Sequence, residues 1–97
     1  MIGVIAKLKI TEGKMEEALN LFEGLLALVR KEEGTLYYTL NRDMADPNMI
    51  VVVERYKDMA AFQAHTGTPH FLEFSKKIGS FLDSKLEMNL LEETASR

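Results

Sequence analysis

The chain of 97 residues carries 12 basic and 15 acidic side chains, a net charge of −3, and no cysteine. That balance argues against a basic, phosphate-binding surface, and the missing thiols exclude disulfides, thiolate nucleophiles and zinc–thiolate centres. A 46% hydrophobic content describes one globular domain over 1–97 rather than a disordered chain.

Residues 2–10 alternate, with Ile2, Val4, Ala6, Leu8 and Ile10 on one face and Gly3, Ile5, Lys7 and Lys9 on the other, which predicts a strand. The opening lacks the basic stretch and cleavage site of a signal peptide. No apolar run approaches the roughly 20 residues of a membrane span. A cytoplasmic protein with neither membrane nor nucleic-acid partners is therefore expected. Thr11-Glu12-Gly13 supplies a turn. Over 14–32 the period becomes helical, with Met15, Ala18, Leu19, Phe22, Leu25, Leu26 and Val29 at three- and four-residue steps. Gly34 fits the left-handed position just past a helix end.

A second strand is predicted over 35–42, with Leu36, Tyr38 and Leu40 opposed to Tyr37, Thr39 and Asn41. Asp46-Pro47-Asn48 is a turn, because proline fixes φ and its neighbours bond the backbone locally. The run 49–56 is apolar on both faces in its middle, so it needs cover on both sides. Asp58 is the expected N-cap of a helix over 59–65 that breaks at Thr66-Gly67. Thr68 and Pro69 restart it as cap and first helical residue, and Phe71, Phe74, Ile78, Phe81 and Leu82 carry the apolar stripe on. A last strand covers 85–91, with Leu86, Met88 and Leu90 on one face, and the polar tail 92–97 is expected to fray. Met15, Met49, Met59 and Met88 read as core filler.

The order is strand–helix–strand–strand–helix–strand, an α+β sandwich with its helices on one face of an antiparallel sheet. The other face presents Ile5, Tyr37, Val51, Val53 and Leu91. A chain this short buries only roughly 60–65% of its unfolded surface, and so large an apolar patch predicts a homodimer.

Candidate chemistry gathers on few residues. The two histidines, His65 and His70, flank the helix break. His65 points inward from Phe62 and Met59, as a general base or as a histidine bonding a backbone carbonyl. His70 sits in the first turn of the restarted helix, as a surface or capping residue or as a group that polarises an anion. Glu54 and Tyr56 share one face of the strongest strand while Arg55 points away. They form either a proton-transfer group or a wet rim, and a buried Glu54 has its pKa raised by desolvation. Tyr38 lines the same pocket or closes the core edge. There is no glycine-rich phosphate loop, no Gly-x-Ser-x-Gly and no metal-ligand spacing.

Glu32-Glu33-Gly34-Thr35-Leu36-Tyr37-Tyr38 resembles the E-x-G-x-x-x-Y segment of the antibiotic biosynthesis monooxygenase family. Asp46-Pro47-Asn48 followed by Val52-Val53-Glu54-Arg55-Tyr56 resembles its D-P-n…v-E-r-W. Ala64-His65-Thr66-Gly67-Thr68-Pro69-His70-Phe71 resembles its a-H-x-x-T-P-H-F. The resemblance covers about residues 2–91 and implies a ferredoxin-like βαββαβ fold assembled as a dimeric α/β barrel. It implies a cofactor-free monooxygenase acting on a quinol or phenolic small molecule, with Glu54, Tyr56 and His65 lining the pocket and His70 close to it. The leading expectation takes His65 as base, Tyr56 and Glu54 as orienting the substrate, and Tyr38, Phe62 and His70 as binding it. No cofactor and no metal are expected. Tyr56 stands where the family often has tryptophan, which implies a smaller substrate. Ala6, His65 and Ser75 stand where the haem-degrading branch has Asn, Trp and His, which counts against haem. Tyr56-Lys57-Asp58 also resembles members that isomerise a phosphorylated autoinducer-breakdown product. Such an isomerase, with phosphate near His70, and a non-catalytic binding dimer are the alternatives, because one scaffold hosts several chemistries.

Overall fold

The alternation in 2–10 yields strand β1, Ile2–Lys9, whose Val4, Ala6 and Leu8 are buried in the computed structural model, which describes residues 1–97. Gly13, at φ 86°, turns the chain into α1, Met15–Val29, and its left-handed backbone explains the glycine. β2, Thr35–Arg42, and β3, Met49–Tyr56, form a hairpin; α2, Met59–Thr66, and α3, Pro69–Gly79, follow, and β4, Glu87–Glu92, closes the sheet. Strand order is β2-β3-β1-β4 with every pair antiparallel, the ferredoxin-like arrangement.

Local chemistry sets the element ends. In the hairpin turn Asp46 Oδ1 accepts from the Asn48 amide at 3.0 Å, and Asp43 Oδ1 accepts from the Ala45 amide at 2.7 Å. Asp58 caps α2 by accepting from the Ala61 amide at 2.8 Å. Thr68 caps α3 through the Phe71 amide at 3.2 Å, and its hydroxyl donates to the His65 carbonyl at 2.8 Å. One threonine thus fixes the angle at the helix break.

The core lies between one sheet face and the helices. Ala6, Leu8, Ile50 and Val52 meet Ala18, Phe22, Leu25 and Val29 of α1 and Phe74 and Ile78 of α3. The Phe22 and Phe74 rings pack 4.6 Å apart. Phe22 is 1% exposed, so its truncation to alanine would cost about 3–5 kcal/mol.

Several expectations need correction. α1 ends at Val29, not at 32, so Glu32 lies in the following turn and is free to point away from the helix axis. Gly34 is not left-handed. Its glycine answers a close approach instead, for a Cβ there would stand 2.6 Å from the Ala61 Cβ on α2. Leu36 leaves the inward row because a bulge shifts register between Thr35 and Tyr37, and it is half exposed. Met59 and Met88 are more than a third exposed and are not core filler. The tail is tied down at its start: the Glu93 amide donates to the Met1 carbonyl at 3.1 Å, and Arg55 Nη1 forms an ion pair with Glu93 Oε1 at 2.7 Å.

On the outer sheet face Ile5 pairs across strands with Val53, and Lys7 with Val51. Ile5, Val51 and Val53 are half-buried, while Tyr37 and Leu91 remain close to half exposed.

Candidate functional site

Sheet register brings the site together. Glu54 lies opposite Val4 on one side and opposite Tyr38 on the other. All three face the helices, which is why a carboxylate on the strongest strand ends up buried, at 6% exposure. Two residues on, the Tyr56 hydroxyl donates to Glu54 Oε1 at 2.6 Å along the same face.

Glu54 forms part of the wall of a cavity of about 130 Å³ between sheet and helices. Tyr38, Val52 and Ala6 complete the sheet side, Phe71, Phe74 and Ile78 the α3 side, and Ser75, Leu86 and Met88, all exposed, lie at its rim. Apart from Ser75 at the rim, the other lining residues are hydrophobic, so the carboxylate is the one charged group facing it. An apolar cavity of about 150 Å³ can take up benzene, so this space suits one aromatic ring.

Burial acts strongly on the acids. Desolvation pushes the Glu54 carboxyl up to about 7, with the Tyr56 hydrogen bond opposing the rise and the Glu32 charge adding to it. Burial, reinforced by the Glu54 charge, raises both Tyr38 and Tyr56 far above the ordinary phenol value. Both are therefore hydroxyl donors at neutral pH, not bases.

His65, at 2% exposure, turns inward as expected and packs against aromatic rings: Phe71 at 5.1 Å, Tyr56 at 5.3 Å and Tyr38 at 6.0 Å. It stands behind the cavity wall formed by Tyr38 and Phe71, not on it. Phe62 packs edge-on against Tyr56 at 5.4 Å and is likewise outside the cavity lining. Neither histidine bonds in the way the sequence suggests. His65 Nδ1 lies 2.8 Å from Glu32 Oε1, and His70 Nε2 lies 2.6 Å from Glu32 Oε2. Thr35 Oγ1 donates to Glu32 Oε1 at 2.8 Å. Desolvation would raise the Glu32 carboxyl, but the hydrogen bonds from His70, Thr35 and His65 outweigh it and hold the group below its ordinary value. Desolvation lowers His65 in spite of its bond to Glu32.

Thus Glu54 and Tyr38 line the cavity, Tyr56 holds Glu54 from behind the wall, and His65 and His70 gather on Glu32. Sequence reasoning missed Glu32 and Thr35 as site residues because a helix running to residue 32 would have carried the carboxylate away from α2. The available signal was the E-x-G-x-x-x-Y segment itself, which Glu32 opens. Phe71 and Ser75 were also missed as cavity residues; their position on α3 one and two turns from the break was the clue.

A family model described as "Antibiotic biosynthesis monooxygenase" matches residues 1–77. The chain belongs to the antibiotic biosynthesis monooxygenase family. Among its relatives in that family, "Putative monooxygenase YcnE" of Bacillus subtilis is 34% identical over 88 residues, covering 91% of this chain and 93% of the relative. "Probable quinol monooxygenase YgiN" of Escherichia coli is 30% identical over 100 residues, covering 93% of each. A conserved protein of Methanosarcina mazei superposes with a TM-score of 0.93 at 28% identity, over 96% of this chain and 92% of the other. No helix of the chain is long and apolar enough to cross a membrane.

Proposed function

We propose that this protein is a cofactor-independent monooxygenase that oxidises a single-ring quinol or phenol with O₂. The observation carrying the proposal is a buried carboxyl held near neutrality on the wall of a ring-sized apolar cavity. Such a group is a poor structural choice and a good proton acceptor at working pH. The base role expected of His65 is here given to Glu54, because Glu54 reaches the cavity and His65 stands one ring behind it. Tyr56 holds one carboxylate oxygen and leaves the other for the substrate hydroxyl. The family membership and a relative named as a quinol monooxygenase support this reading.

In the proposed reaction Glu54 takes the phenolic proton. The electron-rich anion passes electrons to O₂ and forms a carbon–oxygen bond at the ring. The resulting hydroperoxide loses water as the ring C–H proton leaves. One oxygen atom stays as a quinone carbonyl and the other departs as water; the ring supplies the four electrons that O₂ accepts.

The protein works, on this reading, as a homodimer joined through the outer sheet face of Ile5, Tyr37, Val51, Val53 and Leu91, in the manner of a dimeric α/β barrel, and resides in the cytoplasm. The isomerase alternative needs a phosphate near His70, where Glu32 already occupies the imidazole and would repel a second anion. The test is an oxygen electrode with monocyclic quinols and phenols and no added flavin, nicotinamide or metal. Uptake of one O₂ per ring is expected. Turnover of a phosphorylated keto compound without O₂ uptake would refute the proposal.

A further inference from the structure

Glu32 collects three donors from three places in the fold: Thr35 at the start of β2, His65 in the last turn of α2 and His70 in the first turn of α3. An ionised carboxylate only accepts hydrogen bonds, so each of these partners must bring a proton to it. For a neutral His65 this fixes the proton on Nδ1 and leaves the lone pair on Nε2, at the ring edge turned away from Glu32. We infer that Glu32 is a positioning residue that locks His65 in the Nδ1–H tautomer and, through His65 and His70 together, seats the Phe71 and Tyr38 wall of the cavity.

The geometry gives this a definite basis. The two histidines lie on either side of the α2–α3 break, and each carboxylate oxygen takes one of them, at 2.8 and 2.6 Å. The ring of Phe71, a cavity residue, lies 5.1 Å from the His65 ring, and that of Tyr38 6.0 Å. Gly34 allows α2 to come close enough for the contact, since any side chain there would strike Ala61. Rotation of His65 would therefore move two walls of the cavity at once. Carboxylate–imidazole pairs hold ring orientation and tautomer in many sites for the same reason.

Its catalytic consequence rests on the reading of the cavity as a quinol site, but the tautomer does not. The test is nitrogen-15 NMR of the two imidazoles at pH about 8, with a His70→Asn variant to assign them. His65 is expected to show a protonated-type Nδ1 and an unprotonated-type Nε2. In Glu32→Gln the amide offers an acceptor at one end and a donor at the other, so one histidine must exchange its tautomer while the fold, followed by amide peak dispersion, persists. If Glu32→Gln does not fold, the wild-type spectrum alone still decides. An Nε2–H tautomer for wild-type His65, or unchanged imidazole spectra in a folded Glu32→Gln, would overturn the inference. Where O₂ uptake is present, Glu32→Gln should lower kcat at least 10-fold with KM within about 3-fold. A catalytically silent wild-type protein with the Nδ1–H tautomer would sink the oxygenase reading and leave the positioning role intact.

Discussion

Replacing Glu54 with glutamine should make the fold more stable above neutrality and remove a pH dependence that the wild-type chain carries. The folded Glu54 carboxyl titrates near 7 against an ordinary 4.5. Ionising it inside the fold therefore costs about 3 kcal/mol, at about 1.4 kcal/mol per decade. The sign follows from proton counting. Between pH about 4.5 and about 7 the folded chain holds a proton that the unfolded chain has lost, so stability falls as pH rises through that window. Below it there is no penalty, and above it the penalty is complete. Glutamine keeps an acceptor for the Tyr56 hydroxyl and carries no charge. His65 acts in the opposite direction: its lowered value means the unfolded chain takes up a proton in acid that the folded chain refuses, so its contribution rises with pH up to about 6.5. The two slopes partly cancel in the wild type, and Glu54→Gln should expose the rising one. Urea unfolding followed by circular dichroism from pH 4 to 9, at one protein concentration, should show the variant about 3 kcal/mol more stable than wild type at pH 8 and equal to it near pH 4. Parallel profiles for the two proteins would refute the account of Glu54 as a desolvated acid.

Tyr56→Phe removes the donor that favours the ionised Glu54, so the carboxyl should rise further and the fold lose about 1–3 kcal/mol; an unchanged denaturation midpoint at pH 8 would contradict the 2.6 Å bond. Gly34→Ala places a methyl 2.6 Å from Ala61 and should cost about 1–3 kcal/mol in the same assay, although glycine-to-alanine changes in relaxed turns usually stabilise. Val53→Lys, at the centre of the outer sheet face, should halve the mass found by sedimentation at micromolar concentration while circular dichroism stays unchanged. A wild-type chain that sediments as a monomer there would remove the dimer.

Much of the architecture could be read directly from residue order. The alternation in 2–10 and 49–56 identified β1 and β3 and the faces they bury, and the caps Asp58 and Thr68 form where side-chain chemistry predicts. These features depend on neighbours within a few positions. The misread features depend on distant ones. Glu32 meets His65 and His70 across 33 and 38 residues, a contact no local period encodes. Gly34 answers to Ala61 and not to its own backbone angle, and the bulge at Leu36 follows from pairing with β3. The same holds for the site. Placing Glu54 and Tyr56 on one face was a matter of strand period, but that both imidazoles turn to Glu32 and neither lines the cavity depended on how α2 and α3 settle over the sheet.

The most direct test is the pH dependence of quinol-driven O₂ uptake in wild type and Glu54→Gln. If Glu54 receives the substrate proton, wild-type kcat/KM rises through an apparent pKa near 7, and the variant is slower by about 10²–10⁴-fold. A Glu54→Gln protein that consumes O₂ at the wild-type rate, with the same pH profile, would contradict the account.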